Sequence, residues 1–253
     1  MEIGAQLYTL RDFCQNTEAF AETLKRVADI GYRTVQVSGT CAYEAAWLKE
    51  QLEANGLRCV LTHYDAERVA GDTQAVIAEH RLFGCSYIGI GGMPGGLEQP
   101  EDYDRFVQRY RPAGAAIAAA GGRFMYHNHH MEFMRAADGK RYIDKLAEAF
   151  APAELGFTLD VYWIQYAGGD PAQWIDKFSG RVPCLHLKDM ACVDRAQKMA
   201  PVGEGNINFD GILQAAERAG TEYLLVEQDD CNGEDPFDCM ARSYRYLAAQ
   251  GLR

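Results

Sequence analysis

No apolar stretch of this chain approaches the ~20 residues needed to cross a bilayer, so no membrane-spanning helix and no membrane partner are expected. The N-terminus, Met1-Glu2-Ile3-Gly4-Ala5-Gln6, lacks the basic start and apolar run of a secretory signal. Paired cysteines are missing too: the thiols at 14, 41, 59, 85, 184, 192, 231 and 239 are scattered, with no C-x-x-C. That spacing reads as reduced thiols in a cytoplasmic protein, not as a disulfide scaffold. Cationic excess is absent as well. Against 36 acidic residues stand 25 Lys and Arg, and the net charge of −11 repels phosphate backbones, so no nucleic-acid partner is expected.

Nothing divides the chain: there is no linker, low-complexity tract or charge run, so residues 1–253 are read as one domain. A chain of this length removes roughly 70–75% of its unfolded surface from water on folding, enough for a sizeable core. A glycine loop for phosphates is also lacking after the first candidate strand, which runs into Tyr8-Thr9-Leu10-Arg11. The glycines from Gly89 to Gly96 break the G-x-G-x-x-G pattern at Pro94 and lie mid-chain, so a dinucleotide site is not expected.

What is present is a regular alternation of short β-rich runs with longer helical stretches. The strands are read at Ile3–Tyr8, Thr34–Val37, Arg58–His63, Tyr87–Ile90, Arg123–His127, Gly156–Asp160, Val182–Leu187 and Tyr223–Gln228. Helices are read at Thr17–Ile30, Tyr43–Ala54, Thr73–Phe83, Glu101–Ala120, Arg141–Phe150, Pro171–Phe178, Phe209–Ala219 and Pro236–Ala249. Start signals such as Asp170-Pro171 and closing glycines such as Gly31 and Gly220 punctuate them. About eight strand–helix pairs in a chain of this size predict an α/β fold, a TIM (β/α)8 barrel.

A parallel barrel buries its strand interiors and carries function at their C-terminal ends. Those ends read Gln6 and Tyr8, Gln36, His63, His127 and His129, Asp160, His186 and Lys188, and Glu227. Strand alternation puts His127 with His129, and His186 with Lys188, on one face. So many acids, bases and ligand groups at equivalent positions point to a single centre. Asp160, His186 and Glu227 supply carboxylate, imidazole and carboxylate, a set that suits Mn²⁺, Mg²⁺, Co²⁺ or Zn²⁺. A fourth ligand is expected from the segment Phe124–Phe133, with Glu132 as the candidate and His129 as the alternative.

These residues resemble the xylose isomerase-like TIM-barrel superfamily, in particular its sugar phosphate isomerases/epimerases. The resemblance runs over the whole chain and rests on Tyr126-His127-Asn128-His129…Glu132-Phe133, Leu159-Asp160-Val161-Tyr162-Trp163, His186-Leu187-Lys188-Asp189, Val202-Gly203-Glu204-Gly205-Asn206-Ile207-Asn208-Phe209 and Val226-Glu227-Gln228-Asp229. It implies one divalent ion, Mn²⁺ foremost, held by an acid after strand five and by Asp160, His186 and Glu227. Better-known ketose epimerases place a Glu inside that strand, where this chain has Tyr126-His127. The reading that follows is a sugar isomerase or epimerase moving a proton beside a metal-polarised carbonyl, through an enediolate-like intermediate. His127, His129, Glu227, Lys188 and His63 are the catalytic candidates; Gln6, Tyr8, Trp163 and Glu204 are the substrate-binding ones. The segment Ala200–Asn208 is read as a connection able to close over substrate. The alternatives are a metal-dependent lyase or dehydratase on keto-sugars or 3-oxo-glycosides, and a non-catalytic sugar-binding or accessory subunit. The expected partner is a small sugar or sugar derivative, with a homo-oligomer or partner subunit compatible with the sequence.

Overall fold

The computed structural model describes residues 1–253, apart from the surroundings of the Pro100 side chain. The strands are β1 (Glu2–Gln6), β2 (Thr34–Val37), β3 (Arg58–His63), β4 (Tyr87–Ile90), β5 (Arg123–His127), β6 (Leu155–Asp160), β7 (Cys184–Leu187), β8 (Asp189–Val193), β9 (Ala196–Ala200) and β10 (Tyr223–Val226). Between them run α1 (Thr17–Ile30), α2 (Ala45–Ala54), α3 (Ala66–Gly71), α4 (Thr73–Leu82), α5 (Pro100–Ala119), α6 (Tyr142–Ala149), α7 (Val161–Tyr166), α8 (Pro171–Lys177), α9 (Phe209–Ala219) and α10 (Pro236–Ala249). Strands β1 to β7 and β10 close into one barrel in the order β1-β10-β7-β6-β5-β4-β3-β2, each adjacent pair parallel. The expected TIM barrel is the observed one.

Strand ends are set by local capping. β1 stops at Gln6, two residues before the expected Tyr8, because the Gln6 carboxamide accepts from Tyr8 N at 2.9 Å and turns the chain into a 3₁₀ segment, Leu7–Phe13. β10 likewise ends at Val226, and Gln228 N is taken by the Thr9 hydroxyl at 2.9 Å. Asp170 caps α8 ahead of Pro171, and Asp235 caps α10 ahead of Pro236, as the start signals imply.

Inside the barrel, Leu61, Met125, Cys184 and Leu225 pack together as a buried apolar layer. Side chains alternate along a strand, so the residues two positions on lie on the same inward face, one layer higher. Those residues are His63, His127, His186 and Glu227. Two further on stand His129, Lys188 and Asp229, at the mouth. β3 reaches this register through an irregularity: Val35 faces Cys59 but Gln36 faces Leu61, so Val60 is an extra residue on β3. β8 and β9 form an antiparallel hairpin outside the barrel, immediately after β7.

Candidate metal centre

At the C-terminal mouth His127, Asp160, His186 and Glu227 each direct one donor atom to a common place, all within 4.8 Å of one another, and all four are buried. Asp160 divides its carboxylate. Oδ1 accepts from Tyr162 N at 2.9 Å and Trp163 N at 3.1 Å, capping α7, while Oδ2 faces the Lys188 ammonium at 3.0 Å. His186 Nε2 lies 2.6 Å from Gln36 Oε1. With its Nε2–H donated there, a neutral His186 presents Nδ1 as a lone pair, the arrangement that outer hydrogen bonds impose on ligating imidazoles.

The unpartnered atoms test whether a metal fits. His127 Nδ1 and His63 Nε2 are buried without hydrogen-bond partners, while Asp160 Oδ2, His186 Nδ1 and Glu227 Oε2 meet only one another and the Lys188 ammonium as ion pairs. Buried polar atoms are rarely left so, and several converging on one point call for a ligand. His186 Nδ1 lies 2.8 Å from Glu227 Oε2 and 3.6 Å from Asp160 Oδ2, ion-pair contacts when the imidazole carries its second proton. Neighbouring ligands on an ion bonded at roughly 2.1 Å stand about 3 Å apart, so this spacing suits a shared divalent cation.

Lys188 supplies the charge that the carboxylates face. Its buried ammonium is 3.0 Å from Asp160 Oδ2, 2.8 Å from Glu227 Oε2 and 2.8 Å from Asp229 Oδ2. Burial would strip its proton, but Asp160, Glu227 and Asp229 more than offset that and hold it above the ordinary lysine value. Burial would also raise Glu227, yet Lys188 and His186 keep it far below the usual carboxylate range. Asp229 is pushed up to about 6 by burial and by Glu227. Burial pulls His186 down, while Glu227 and Asp160 carry it up to about 8. His63, His127 and His129 are held below the ordinary imidazole value, by burial first, and stay neutral at pH 7.

Two expected placements need correction. Glu132 does not join the cluster: Oε1 accepts from Tyr126 O–H at 2.6 Å and Oε2 from His129 N at 2.8 Å. The 3₁₀ turn Met131–Phe133 folds it back against β5, so it braces the loop, and His127 stands where the fourth ligand was sought. Glu204 does not line the pocket; it pairs with Arg242 at 3.1 Å. Its loop is tied down by Asp189, whose carboxylate accepts from Gly203 N, Gly205 N and Ile207 N as well as Met190 N. A Cβ on Gly205 would come 2.3 Å from Asp189 Oδ1, so only glycine lets the backbone approach.

The other named residues surround the centre. Tyr8, His63, His127, His129, Lys188 and Glu227 line a pocket of about 400 Å³, together with Arg11, Ser38, Gly39, Gly91 and Asp229. Trp163 lies against His129, ring centroids 5.5 Å apart and planes tilted by 50°, with Lys188 Nζ 5.6 Å from its ring. Gln6 is fully buried below, its Nε2 unpartnered. Asp229 and the bracing role of Gln36 were not foreseen. Counting in twos from Leu225 through Glu227 would have found the first. A cavity of the same volume opens at the opposite face around Arg58, Arg81, Tyr87 and Tyr223. Its polar groups pair locally, Arg58 with Glu2 and Tyr87 O–H with Glu222, and among the described residues no unpartnered buried atom belongs to its lining.

A family model described as xylose isomerase-like TIM barrel matches residues 24–249. An inosose dehydratase of Geobacillus thermodenitrificans (strain NG80-2) is 21% identical over 266 residues, covering 90% of this chain and 88% of that protein. Among solved structures, a sugar phosphate isomerase/epimerase from Parabacteroides distasonis ATCC 8503 superposes with a TM-score of 0.81 at 23% identity, covering 98% of this chain and 93% of that one. A probable 3-DHS dehydratase from Bacillus anthracis superposes with a TM-score of 0.75 at 17% identity, covering 98% and 99%. These structural likenesses show the fold. Among the described residues no helix is long and apolar enough to cross a membrane.

Proposed function

The chain belongs to the xylose isomerase-like TIM-barrel family, and we propose that it is a divalent-metal-dependent enzyme that moves a proton on the carbon beside a carbonyl of a sugar-like substrate. The observation that carries this is the convergence of four buried donor atoms, from His127, Asp160, His186 and Glu227, at the mouth of the barrel. When bound there, a divalent ion such as Mn²⁺ supplies Lewis acidity toward adjacent substrate oxygens.

The chain's own residues do the rest. Lys188, cationic and buried, stabilises negative charge gathering on a substrate oxygen; in such a dry site fixed charge acts strongly. His63 is neutral and has Nε2 free, with Nδ1 3.3 Å from the Ser38 hydroxyl. Donating Nδ1–H to Ser38 makes Nε2 the proton acceptor, and His129 is a second neutral base in the same pocket. Tyr8 lines the pocket, Trp163 lies behind it against His129, and Gln6 and Gln36 hold the layer beneath.

Returning the proton to carbon gives isomerisation or epimerisation. Losing a β-hydroxyl instead gives dehydration, a second reading that the likeness to an inosose dehydratase favours. One experiment separates them: the Mn²⁺-loaded protein is incubated with inosose and with keto-hexoses in deuterated water and followed by NMR. Deuterium at the carbon beside the carbonyl with a rearranged sugar marks the isomerase, and loss of water marks the dehydratase. No exchange with any of these ketones rejects the proposal.

A further inference from the structure

A second set of donors meets at the barrel mouth beside the mixed one. His63, His127 and His186 each offer one ring nitrogen, and these three atoms also lie within 4.8 Å of one another. Their strands, β3, β5 and β7, alternate around the barrel, so side chains at one inward level converge on its axis. The rings cluster accordingly. Centroids stand 5.1 Å apart for His63 and His127, 5.4 Å for His63 and His186, and 4.5 Å for His127 and His186.

Two of the three imidazoles are braced from outside in the way that ligating imidazoles are. The Ser38 hydroxyl lies 3.3 Å from His63 Nδ1, and the Gln36 carboxamide oxygen 2.6 Å from His186 Nε2. Both partners stand at or just past the end of β2 and accept the ring N–H, which leaves His63 Nε2 and His186 Nδ1 as lone pairs. His63 Nε2 and His127 Nδ1 are buried without partners. An ion held by these three nitrogens leaves the Lys188 ammonium its contacts with Asp160 at 3.0 Å and Glu227 at 2.8 Å. Asp160, Glu227 and Asp229 together outweigh that one ammonium, so the surroundings still attract a cation.

We infer that the three imidazoles form an alternative metal position, selective for Zn²⁺, beside the mixed set that suits Mn²⁺. Selectivity comes from ligand chemistry: imidazole nitrogen favours zinc, while carboxylate oxygen suits manganese and magnesium. Three protein nitrogens with a fourth position open make a tetrahedral zinc arrangement. The two positions exclude one another. Both take His186 through Nδ1, the nitrogen not spent on Gln36, and one ring nitrogen has one lone pair. Their difference for function lies in His63. In the mixed set it is not a ligand and stays free to accept a proton; in the imidazole set its lone pair is committed. The Zn²⁺ form is therefore closed to the proton transfer that the Mn²⁺ form performs. That consequence rests on the proposed function, whereas the position itself rests on geometry.

The test is calorimetric titration of the metal-free protein with Zn²⁺ and Mn²⁺, separately and in competition, for wild type, His63→Ala and Asp160→Asn. Wild type is expected to bind one ion of either kind per chain, each displacing the other. His63→Ala is expected to weaken Zn²⁺ binding by more than about a hundredfold, beyond the loss of an outer hydrogen bond, with Mn²⁺ unchanged. Asp160→Asn, which keeps an oxygen to cap α7, is expected to do the reverse. The ion that each variant retains shows that it is folded. Ser38→Ala should cost Zn²⁺ about tenfold and Mn²⁺ nothing. Undiminished Zn²⁺ binding in His63→Ala, or equal loss of both ions, overturns the alternative position and leaves the mixed centre standing. Simultaneous binding of both ions overturns the shared use of His186. Failure of the wild type to bind either ion removes both the inference and the metal centre beneath it.

Discussion

Asp160 shows how one carboxylate serves fold and site together: Oδ1 closes the first turn of α7 while Oδ2 faces the other donors. A helix cap and a ligand are usually weighed as rivals, and here each oxygen takes one task. Lys188 is the counterpart. Its ammonium neutralises Asp160, Glu227 and Asp229, three carboxylates that could not otherwise be buried together. A divalent ion approaching the same oxygens competes with it. Lys188→Met is therefore expected to lower the stability of the metal-free protein by about 3–5 kcal/mol, the cost of uncompensated buried charge. The same change should tighten Mn²⁺ binding at least tenfold. Thermal melts and calorimetry with and without Mn²⁺ read both, and an unchanged affinity would show that the lysine and the ion do not share the site.

The pH dependence follows from His186. Its pKa is raised to about 8, chiefly because Glu227 and Asp160 outweigh its burial, so below that pH it holds a proton that a metal must displace. Mn²⁺ affinity is expected to fall about tenfold per pH unit below 8, with release of a proton measurable in buffers of different ionisation enthalpy. Stability of the metal-free protein runs the other way. A raised imidazole pKa stabilises the fold fully below its unfolded value near ~6.5, and that contribution is lost as pH rises through 8. The gap in Tm between Mn²⁺-loaded and metal-free protein should therefore widen from pH 6 to pH 8. A constant gap would count against His186 as a ligand.

Among elements, the barrel strands were legible because each is a short, mostly apolar run, and all but β4 place a polar side chain at or just past their C-terminal ends toward the barrel mouth. Two features escaped for physical reasons. Helix α7, Val161–Tyr166, is six residues of mostly apolar and aromatic side chains, with no polar face to give a 3.6-residue period. The β8–β9 hairpin turns at Asp194 and Arg195, with φ of 51° and 63°, where a sequence signal would be Asn-Gly or Asp-Gly. The histidines after β5 were recognisable as site residues, but the choice of fourth ligand was not. Glu132 is the better ligand by chemistry alone, and only the contact with the Tyr126 hydroxyl, made by a turn that doubles back, removes it. Asp189 belongs to this scale too, since it organises the loop after β9 by accepting three of its backbone N–H groups, from Gly203, Gly205 and Ile207. Asp189→Ala should cost about 3 kcal/mol and expose the segment Val202–Asn208 to proteolysis; wild-type resistance to cleavage there would contradict the anchoring role.

At the scale of the molecule, the two ends of the barrel differ in kind. The N-terminal face has a cavity as large as the site, but its charges are matched locally. The C-terminal face gathers the unmatched atoms, as the barrel architecture leads one to expect. A net charge of −11 favours uptake of a cation over an anionic ligand, in line with a centre built from two carboxylates and two imidazoles.

Stoichiometric Mn²⁺ titration of three proteins tests whether His127, Asp160, His186 and Glu227 form one divalent-metal centre. Wild type and Glu132→Gln are predicted to bind one ion per chain with similar affinity, and His127→Ala to lose at least a hundredfold. Retention of binding in His127→Ala with loss in Glu132→Gln, or no binding by the wild type, would overturn this ligand set.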